Sequence, residues 1–405
     1  MSVLSGKNIL LGVSGGIAAY KTATLVRLFI KAGAHVQVVM TPASKDFVTP
    51  LTLATLSKNL VYSTFYNEED ENAKWNNHVE LGLWADLMVI APATANTLSK
   101  MANGTCDNLL IATYLSAKCP VYYAPAMDLD MYKHPSTLFN FTLLQQFGNS
   151  MIPAENGELA SGLNGEGRMA EPENIIGFIE KDLESKLPLK GKKILITAGP
   201  TYEAIDPVRF IGNHSSGKMG FDIAATAANL GADVTLVSGP THLLIQNSNI
   251  NLIKITTAKE MYNACHDYFT TTDVAICAAA VADYKPKSIA KQKIKKNEEA
   301  FTIELEKTQD ILASLGKIKE KQFLIGFALE TENEIENAKL KIQKKNLDLI
   351  VLNSLQDEGA GFGQPTNKIT FIDNNFKIEP MHLKAKELVA VDIMNKVISH
   401  YEKNS

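Results

Sequence analysis

The chain has 405 residues, of which 45% are hydrophobic and 21% are charged, and its formal net charge is -4 at pH 7. A chain of this length is expected to form two or three domains with cores of their own rather than a single domain. The small negative charge excludes a general electrostatic attraction to nucleic acid or membranes, so an anionic ligand must be held by a local site.

Cysteine usage and apolar runs indicate the cellular compartment. The four cysteines show neither Cys-x-x-Cys spacing nor clustering with histidines, which fits thiols in a reducing compartment better than a disulfide framework. The first apolar run is too short for a signal peptide, and nowhere do the roughly 18 consecutive apolar residues of a bilayer-spanning helix occur. We therefore expect a cytoplasmic protein with no membrane and no nucleic-acid partner.

The chain opens with a predicted strand at 8–13, a glycine turn, a helix that ends near Gly33 and a second strand at 34–40. This order is typical of a doubly wound α/β sheet. The turn places Ser14 in Gly-x-Ser-x-Gly, the pattern of a hydrolase nucleophile. However, it follows the first strand instead of a mid-sheet strand, and no Asp-then-His order is evident downstream. A turn whose backbone amides bind a phosphate is the simpler interpretation.

Polar residues follow the predicted strands at the edge where open α/β sheets bind ligands. The apolar run 86–91 predicts a buried parallel strand bounded by Pro92, and Thr94 and Asn96 follow at the start of a helix. Thr41 follows the second strand and lies at the same edge, although a plain proline turn explains its position equally well. Residues 118–124 predict another strand, which leads to Asp128.

A long segment and a hinge separate the two halves. Residues 149–172 are rich in Gly, Asn, Glu and Pro and predict a functional loop, of which 161–169 is too dense in glycine for a helix or strand. Charged residues mixed with Pro and Gly at 183–193 predict a hinge, after which the strand pattern restarts. We expect two Rossmann-like, doubly wound, mostly parallel sheets in series, in domains 1–185 and 186–405.

The second half contains a glycine-rich turn and two lysine-rich segments. Residues 212–218 match Gly-x4-Gly-Lys, but Met219 stands where a P-loop needs Ser or Thr for magnesium, so only a general anion site is predicted. Six lysines lie within 285–296, as either a solvated loop or a mobile flap over phosphates. Residues 339–345 are either the exposed face of a helix or a basic helix end near a ligand. Further strands are predicted at 273–279, 323–327 and 347–352.

Several motifs of the first half resemble the homo-oligomeric flavin-containing cysteine decarboxylases, whose flavoprotein domain is flavodoxin-like. They are His-Val-Glu-Leu from His78, Trp-Ala-Asp from Trp84, the turn 92–97, and Pro-Ala-Met-Asp-Leu-Asp-Met from Pro125. In the second half, residues 197–201, 206–220, 278–283 and 293–296 resemble successive motifs of a ligase. Together they resemble bifunctional phosphopantothenoylcysteine decarboxylases/phosphopantothenate cysteine ligases over almost the whole chain.

The resemblance implies two consecutive reactions of coenzyme A biosynthesis. CTP, with magnesium, activates 4′-phosphopantothenate as an acyl-cytidylate that L-cysteine then attacks. FMN-dependent decarboxylation of the product gives 4′-phosphopantetheine, and the flavin is catalytic without net redox change because it oxidises the thiol and later returns the electrons. The resemblance also implies a homo-oligomer with flavin sites between the protomers of a trimer, and a dodecamer as a higher assembly.

The resemblance further implies individual roles. His78 is expected to transfer a proton at the reacting centre. Asn213 and Arg209 are expected to stabilise the acyl phosphate, and Lys293 to offset charge on the nucleotide phosphates. The flavin-binding turns carry Ser14, Gly15, Gly16, Thr41, Thr94 and Asn96. The residues expected near CTP are Ala279, Asp283, Lys293, Phe327, Lys341 and Lys345. Metal ligands stay unknown.

Two residues depart from the family pattern. Asp128 stands where most members have an Asn that binds the substrate carboxylate, so Asp128 must be protonated, be compensated by a cation, or point away. Ser161 replaces a cysteine in the substrate loop 155–170 of some members and cannot act as an acidic thiol. These departures leave open a ligase with an inactive, regulatory flavin-binding half. A separate alternative is a flavin prenyltransferase or another lyase of the same fold, which would lack the ligase half. A nicotinamide dehydrogenase is disfavoured because Gly-x-Gly-x-x-Gly is missing.

Overall fold

The computed structural model describes residues 2–66, 75–245, 247–295, 302–330, 332–354 and 364–402. It divides into two compact units, Met1–Ser185 (unit 1) and Lys186–Ser405 (unit 2). Across the described ranges, no helix has both the length and the apolar composition that a membrane crossing requires.

Unit 1 is built on a six-stranded parallel sheet with the order β3-β2-β1-β4-β5-β6. The strands are β1 (Asn8–Val13), β2 (His35–Met40), β3 (Val61–Tyr62), β4 (Leu87–Ala93), β5 (Val121–Pro125) and β6 (Ser150–Met151). This is the Rossmann strand order, whereas a flavodoxin sheet has the order 2-1-3-4-5. The flavodoxin-like comparison therefore holds at the level of a doubly wound parallel sheet.

Helices cover both faces of this sheet. They are α1 (Thr22–Lys31), α2 (Pro50–Ser57), α3 (His78–Trp84), α4 (Ala95–Asn103), α5 (Leu109–Ser116), α6 (Leu129–Lys133), α7 (Pro135–Gln146) and α8 (Pro172–Ser185). Alternate residues of the central strands enter different clusters, so Leu11 packs with α1 and α8 residues while Leu10 packs with α4 and α5 residues. Burial on both faces explains why β4 is apolar along its length.

Two expectations for unit 1 were wrong. The strand β4 continues through Pro92 to Ala93, because its pairing with β5 shifts register between Ile90 and Ala93. The glycine-dense segment also forms a strand, β8 (Asn164–Arg168), antiparallel to β7 (Glu155–Glu158). Its glycines fit because a Cβ at Gly167 would lie 2.5 Å from the Met127 carbonyl oxygen. The close approach of the Met127 backbone therefore explains why a glycine occupies position 167 in this strand.

Unit 2 repeats the architecture with the order β13-β12-β9-β14-β17-β18-β20-β21, which is parallel up to β18 and antiparallel beyond it. These strands are β9 (Lys193–Ala198), β12 (Asp233–Ser238), β13 (Ile250–Lys254), β14 (Val274–Cys277), β17 (Phe323–Glu330), β18 (Leu349–Ser354), β20 (Ile369–Asp373) and β21 (Ile378–Pro380). The prediction of two mostly parallel doubly wound sheets in series is confirmed.

Helices and short hairpins complete unit 2. The helices are α9 (Lys218–Asn229), α10 (Ala258–Phe269), α11 (Ile311–Ile318), α12 (Glu334–Lys345) and α13 (Lys386–Glu402). Three two-stranded sheets are β10 (Tyr202–Ala204) with β11 (Phe210–Gly212), β15 (Tyr284–Pro286) with β16 (Leu305–Lys307), and β19 (Thr366–Asn367) with β22 (Lys384–Ala385). A capping box of Thr257 and Glu260 fixes the start of α10.

Candidate active sites

Unit 1 contains a cavity of about 900 Å³ at the carboxyl edge of its sheet, beside the point where the strand order reverses between β1 and β4. The loops after β1, β2, β4 and β5 all reach it, as does the β7–β8 hairpin. It is lined by five of the six residues expected to bind flavin, namely Gly15, Gly16, Thr41, Thr94 and Asn96. Open α/β sheets bind ligands at this position.

The turn beneath the cavity has no space for larger residues. A Cβ at Gly15 would lie 2.9 Å from the Ala43 Cβ, and one at Gly16 would lie 3.2 Å from Cγ2 of Thr94. The side chain of Thr41 is 9% exposed, and its Oγ1 has no hydrogen-bond partner among the described residues. A buried hydroxyl without a partner is costly, so this cavity fits a ligand with hydrogen-bonding atoms, as a flavin has.

Ser14 lies behind the cavity instead of lining it. Its buried Oγ donates to the Pro92 carbonyl oxygen at 2.7 Å and accepts from the Thr94 N–H at 3.1 Å. These bonds join the ends of β1 and β4. Ser14 therefore positions the two turns, and its hydroxyl is not placed as a nucleophile facing the cavity.

Each cation that lines the cavity is already paired. Lys100 contacts Asp107 at 2.6 Å, and both Lys21 and Arg168 contact Glu171, at 3.0 and 2.5 Å. The Lys21 hydrogen bond lowers the pKa of Glu171, and the Lys100 hydrogen bond lowers that of Asp107. Lys21 is 5% exposed and also donates to the Met169 carbonyl oxygen, so it anchors the end of the β7–β8 hairpin.

Both departures from the family pattern lie in this cavity. Asp128 is the N-cap of α6, and its Oδ1 accepts from the Leu129 N–H at 2.6 Å. No ion pair joins its carboxylate within the described residues. Ser161 is exposed on the connection between β7 and β8 and lines the same cavity.

His78 does not line this cavity in its own chain. It is the first residue of α3, its ring lies edge-on to Phe65 at 6.1 Å, and its buried Nδ1 has no hydrogen-bond partner among the described residues. Within the described part of one chain, His78 is therefore not among the residues that line the cavity with the turns expected to bind flavin.

Unit 2 contains a cavity of about 470 Å³ between the loop after β14 and the helices α11 and α12. Five of the residues expected near CTP line it together, although they come from distant parts of the sequence: Ala279, Asp283, Phe327, Lys341 and Lys345. Lys341 and Lys345 are one helical turn apart on α12, so the interpretation of this segment as a basic helix end near a ligand is favoured.

Two lysines give this cavity its charge. Lys341 Nζ donates to the Phe327 carbonyl oxygen at 3.0 Å, and burial together with the charge of Lys345 lowers the pKa of Lys341. Lys345 pairs with Asp310 at 2.8 Å. Burial also raises the pKa of the Cys277 thiol, to about 12, so this thiol is neutral at physiological pH.

The three remaining ligase candidates lie outside this cavity. Asn213 Nδ2 donates to the carbonyl oxygens of Ala280 and Val281, at 3.0 and 3.2 Å, and so holds the loop that carries Ala279 and Asp283. Arg209 donates to the Ile294 carbonyl oxygen at 3.2 Å. Lys293 is exposed beside Ile294. The last lysine of its motif, Lys296, lies outside the described residues.

Lys218, which ends the Gly-x4-Gly-Lys motif, forms ion pairs with Asp222 and with Glu387. This lysine therefore ties α9 to α13 and is not directed at a phosphate. Within the described ranges, no group of three or more His, Cys, Asp or Glu residues is arranged to hold a metal ion.

Sequence reasoning missed several cavity residues. In unit 1 these include Lys100, Asp107 and Asn108, and in unit 2 Thr308, Gln309 and Asp310. The sequence signal that could have found two of them is a polar N-cap residue just before an apolar helix. Asn108 accepts from the Ile111 N–H, and Asp310 accepts from the Ala313 N–H. Such a polar residue before an apolar run marks a helix N-terminus, where ligands often bind.

Comparison with known families assigns both units. The model described as "Flavoprotein" matches residues 2–184, and the model described as "DNA/pantothenate metabolism flavoprotein C-terminal domain" matches residues 189–401. The chain is also 43% identical over 397 residues to "Coenzyme A biosynthesis bifunctional protein CoaBC" of Bacillus subtilis (strain 168), covering 98% of this chain and 97% of that protein. The chain belongs to this bifunctional family.

The chain is also similar to a protein with a different name and to a solved structure. A protein of an unknown prokaryotic organism named "Cysteine/Cysteine sulfinic acid decarboxylase" is 54% identical over 357 residues, which cover 87% of this chain and 99% of that protein. A solved structure, the C-terminal domain of a CoaBC protein, is 42% identical and covers 54% of this chain and all of that one, with a TM-score of 0.46. Membership of the bifunctional family makes unit 1 a flavoprotein domain.

Proposed function

We propose that this chain catalyses the two consecutive reactions of its family, the CTP-dependent joining of 4′-phosphopantothenate to L-cysteine and the decarboxylation of the product to 4′-phosphopantetheine. The observation that carries the proposal is that residues of each half, predicted from separate motifs, line one cavity in each unit. The decarboxylase reaction is assigned to domain 1–185 and the ligase reaction to domain 186–405.

FMN is the proposed cofactor of unit 1, held by the turns at Gly15, Thr41 and Thr94. When bound, it supplies a reversible two-electron oxidation of the substrate thiol, which makes loss of the neighbouring carboxylate feasible. The close-packed glycine turn admits backbone amides to an anionic ligand, and the unpartnered Thr41 Oγ1 supplies a hydrogen-bonding group. The β7–β8 hairpin, anchored by Lys21, is proposed to cover the substrate and exclude water.

We propose that His78 reaches the flavin cavity of another copy of this chain. In its own chain His78 is outside the cavity, and its Nδ1 has no partner among the described residues. A trimer with flavin sites between protomers would provide the missing histidine for proton transfer. The dodecamer, and the cytoplasmic location inferred from cysteine usage, stay predictions.

In unit 2, the carboxylate of 4′-phosphopantothenate attacks the α-phosphorus of CTP and pyrophosphate leaves. The cysteine amine then attacks the acyl carbon and CMP leaves. Lys341 and Lys345 are proposed to bind the nucleotide, and Asn213 to hold the loop that bears Ala279 and Asp283. Lys293 would stabilise the phosphates from its exposed segment, and magnesium would enter with the CTP phosphates.

The test is to incubate the flavin-loaded protein with 4′-phosphopantothenate, L-cysteine, CTP and magnesium and to measure pyrophosphate and carbon dioxide separately. Pyrophosphate followed by an equal amount of carbon dioxide is the expected result. Pyrophosphate without carbon dioxide would instead support a ligase with an inactive flavin-binding half. No pyrophosphate with CTP, ATP or UTP would contradict the ligase assignment.

A second candidate concerns the substrate of unit 1 alone. The relative that is 54% identical carries the name of a cysteine and cysteine sulfinic acid decarboxylase, and the identity to the coenzyme A proteins of Bacillus subtilis and Escherichia coli (strain K12) is lower, at 43% and 40%. A free amino acid is therefore the alternative substrate for decarboxylation. Carbon dioxide release from L-cysteine without CTP and 4′-phosphopantothenate would support it.

A further inference from the structure

Around the flavin cavity, the cationic side chains of the described residues are all in ion pairs, whereas some of the carboxylates are not. Its lining cations, Lys21, Lys100 and Arg168, are all paired with Glu171 or Asp107. Two further carboxylates line the cavity, Asp128 and Glu158, and neither has an ion pair within the described residues. With Glu171 included, three cations face four carboxylates, so the cavity has an excess of negative charge.

Asp128 is the carboxylate best placed to act on a ligand. Its Oδ1 is fixed by the Leu129 N–H at the start of α6, while its Oδ2 has no partner in the described part of the chain. Asp128 is half-buried and lines the cavity together with Met127 and Met131. The buried Thr41 hydroxyl, which the proposed function assigns to FMN, is a second polar group of the cavity lining that has no partner in the described part of the chain.

We propose that Asp128 binds the α-ammonium group of a free thiol amino acid, so that unit 1 decarboxylates free L-cysteine as well as the N-acylated product of the ligase. The inference rests on the proposed decarboxylase function of unit 1. In free cysteine a positive group lies beside the carboxylate, whereas in an N-acylated cysteine a neutral amide replaces it. Only the free amino acid can offset the charge of Asp128.

The reaction balances without a further reagent. The bond between the α-carbon and the carboxyl carbon breaks, carbon dioxide leaves, and one proton is added to the α-carbon to give the amine-bearing thiol. No net electrons are gained or lost overall, and bound FMN would supply the transient, reversible oxidation of the thiol. Asp128 takes no part in bond breaking, since its role is to bind the ammonium group.

The test compares L-cysteine with N-acetyl-L-cysteine, which keeps the thiol and carboxylate and lacks the ammonium group. The flavin-loaded full chain, Asp128→Asn and Asp130→Asn are assayed for carbon dioxide release. Asn preserves the helix cap and removes the charge. Asp130→Asn is the matched control, because Asp130 lies in the same first turn, is exposed and does not line the cavity.

We expect the ratio of kcat/KM for L-cysteine to that for N-acetyl-L-cysteine to fall at least about tenfold in Asp128→Asn, mainly through a higher KM for L-cysteine, which is a loss of ground-state binding. Asp130→Asn should keep the parent ratio. An equal loss for both substrates in Asp128→Asn would overturn the proposal, because it would indicate a structural role only.

The same assay includes 4′-phosphopantothenoyl-L-cysteine as a third substrate. Carbon dioxide from this compound but none from L-cysteine would overturn the inference and leave the proposed function intact. Carbon dioxide from none of the three thiols would contradict the decarboxylase function itself, and the inference with it. Pyrophosphate release by unit 2 in the same preparation would show that the chain is folded.

Discussion

At the scale of single residues, Thr41 connects the fold of unit 1 with the ligand proposed for its cavity. Thr41 is buried just after β2, and its hydroxyl lacks a partner among the described residues. Its backbone is paired, because its N–H donates to the Val13 carbonyl oxygen and its carbonyl oxygen accepts from the Ser44 N–H. A buried hydroxyl that only a ligand can satisfy lowers the stability of the ligand-free protein and contributes to ligand affinity. Removing such a hydroxyl should therefore stabilise the ligand-free protein and weaken ligand binding.

We predict that Thr41→Val stabilises the flavin-free protein by about 1 kcal/mol, because the orphaned hydroxyl is replaced by a methyl group of the same shape, and raises the Kd for FMN about tenfold. Urea unfolding followed by tryptophan fluorescence measures the first effect in unit 1 alone, since both tryptophans, Trp75 and Trp84, belong to that unit. Flavin fluorescence titration measures the second.

The matched control is Thr22→Val. Thr22 is also buried in unit 1, but its Oγ1 donates to the Ala19 carbonyl oxygen at 2.6 Å, and it does not line the cavity. This change should destabilise the flavin-free protein by about 1 kcal/mol and leave the Kd for FMN unchanged. Equal destabilisation by both substitutions would contradict the role given to Thr41.

At the scale of elements, regular periodicity was sufficient where a strand or helix is fixed by local burial. The predicted range of β1 is the observed one, and the turn at Thr94 caps α4 as expected. The errors arose where a distant partner decides the structure. Pairing with β5 carries β4 past Pro92, and pairing with β7 makes a strand of the glycine-dense segment. The local sequence predicted β5 as a strand but could not show which strands pair or in what register.

The helix α12 shows how an element can define a site. Its last turns place Lys341 and Lys345 in the cavity while Lys344 stays exposed, because residues four apart share a face. Burial lowers the pKa of Lys341 in the protein without nucleotide. Phosphate groups favour the protonated lysine, so nucleotide binding must be coupled to proton uptake by this residue at alkaline pH.

We predict that CTP affinity falls as the pH rises, beginning below the usual titration range of lysine, because the free protein loses the Lys341 charge early. Lys341→Met should raise the Kd for CTP at pH 7 by about tenfold to a hundredfold and remove most of this pH dependence. Isothermal titration calorimetry at several pH values gives both quantities. Lys344→Met is the control, and its Kd for CTP and pH dependence should match those of the parent protein. If Lys341→Met kept the pH dependence of the parent protein, the titrating group would be a residue other than Lys341.

At the scale of the whole molecule, the residues that the structure describes form separate core clusters in each unit, two in unit 1 and two in unit 2. The periodic strands and the glycine turns were enough to predict two sheets in series. The sites could be predicted only in part, since family resemblance joined His78 to the turns expected to bind flavin, and His78 does not line their cavity. If another copy supplies this histidine, as proposed, the spacing of residues within one chain cannot show it.

This separation leads to a complementation prediction. Two inactive variants, His78→Ala and Gly15→Val, should regain decarboxylase activity when they are co-expressed and form mixed trimers. The first keeps an intact cavity, and the second keeps His78 but blocks the turn, since even a Cβ at Gly15 would lie 2.9 Å from the Ala43 Cβ. With random mixing, half the cavities are intact and half of those face an intact histidine, so about a quarter of the parent activity is expected.

Each variant alone should release no carbon dioxide yet release pyrophosphate at the parent rate, which shows that unit 2 is folded and active. Analytical ultracentrifugation of the mixture would establish that the oligomer forms. If His78 acted within its own chain, every mixed oligomer would contain only sites with one broken component, and activity would stay at zero. Recovery near a quarter therefore distinguishes a histidine shared between copies from one that reaches the cavity of its own chain by a local movement of α3.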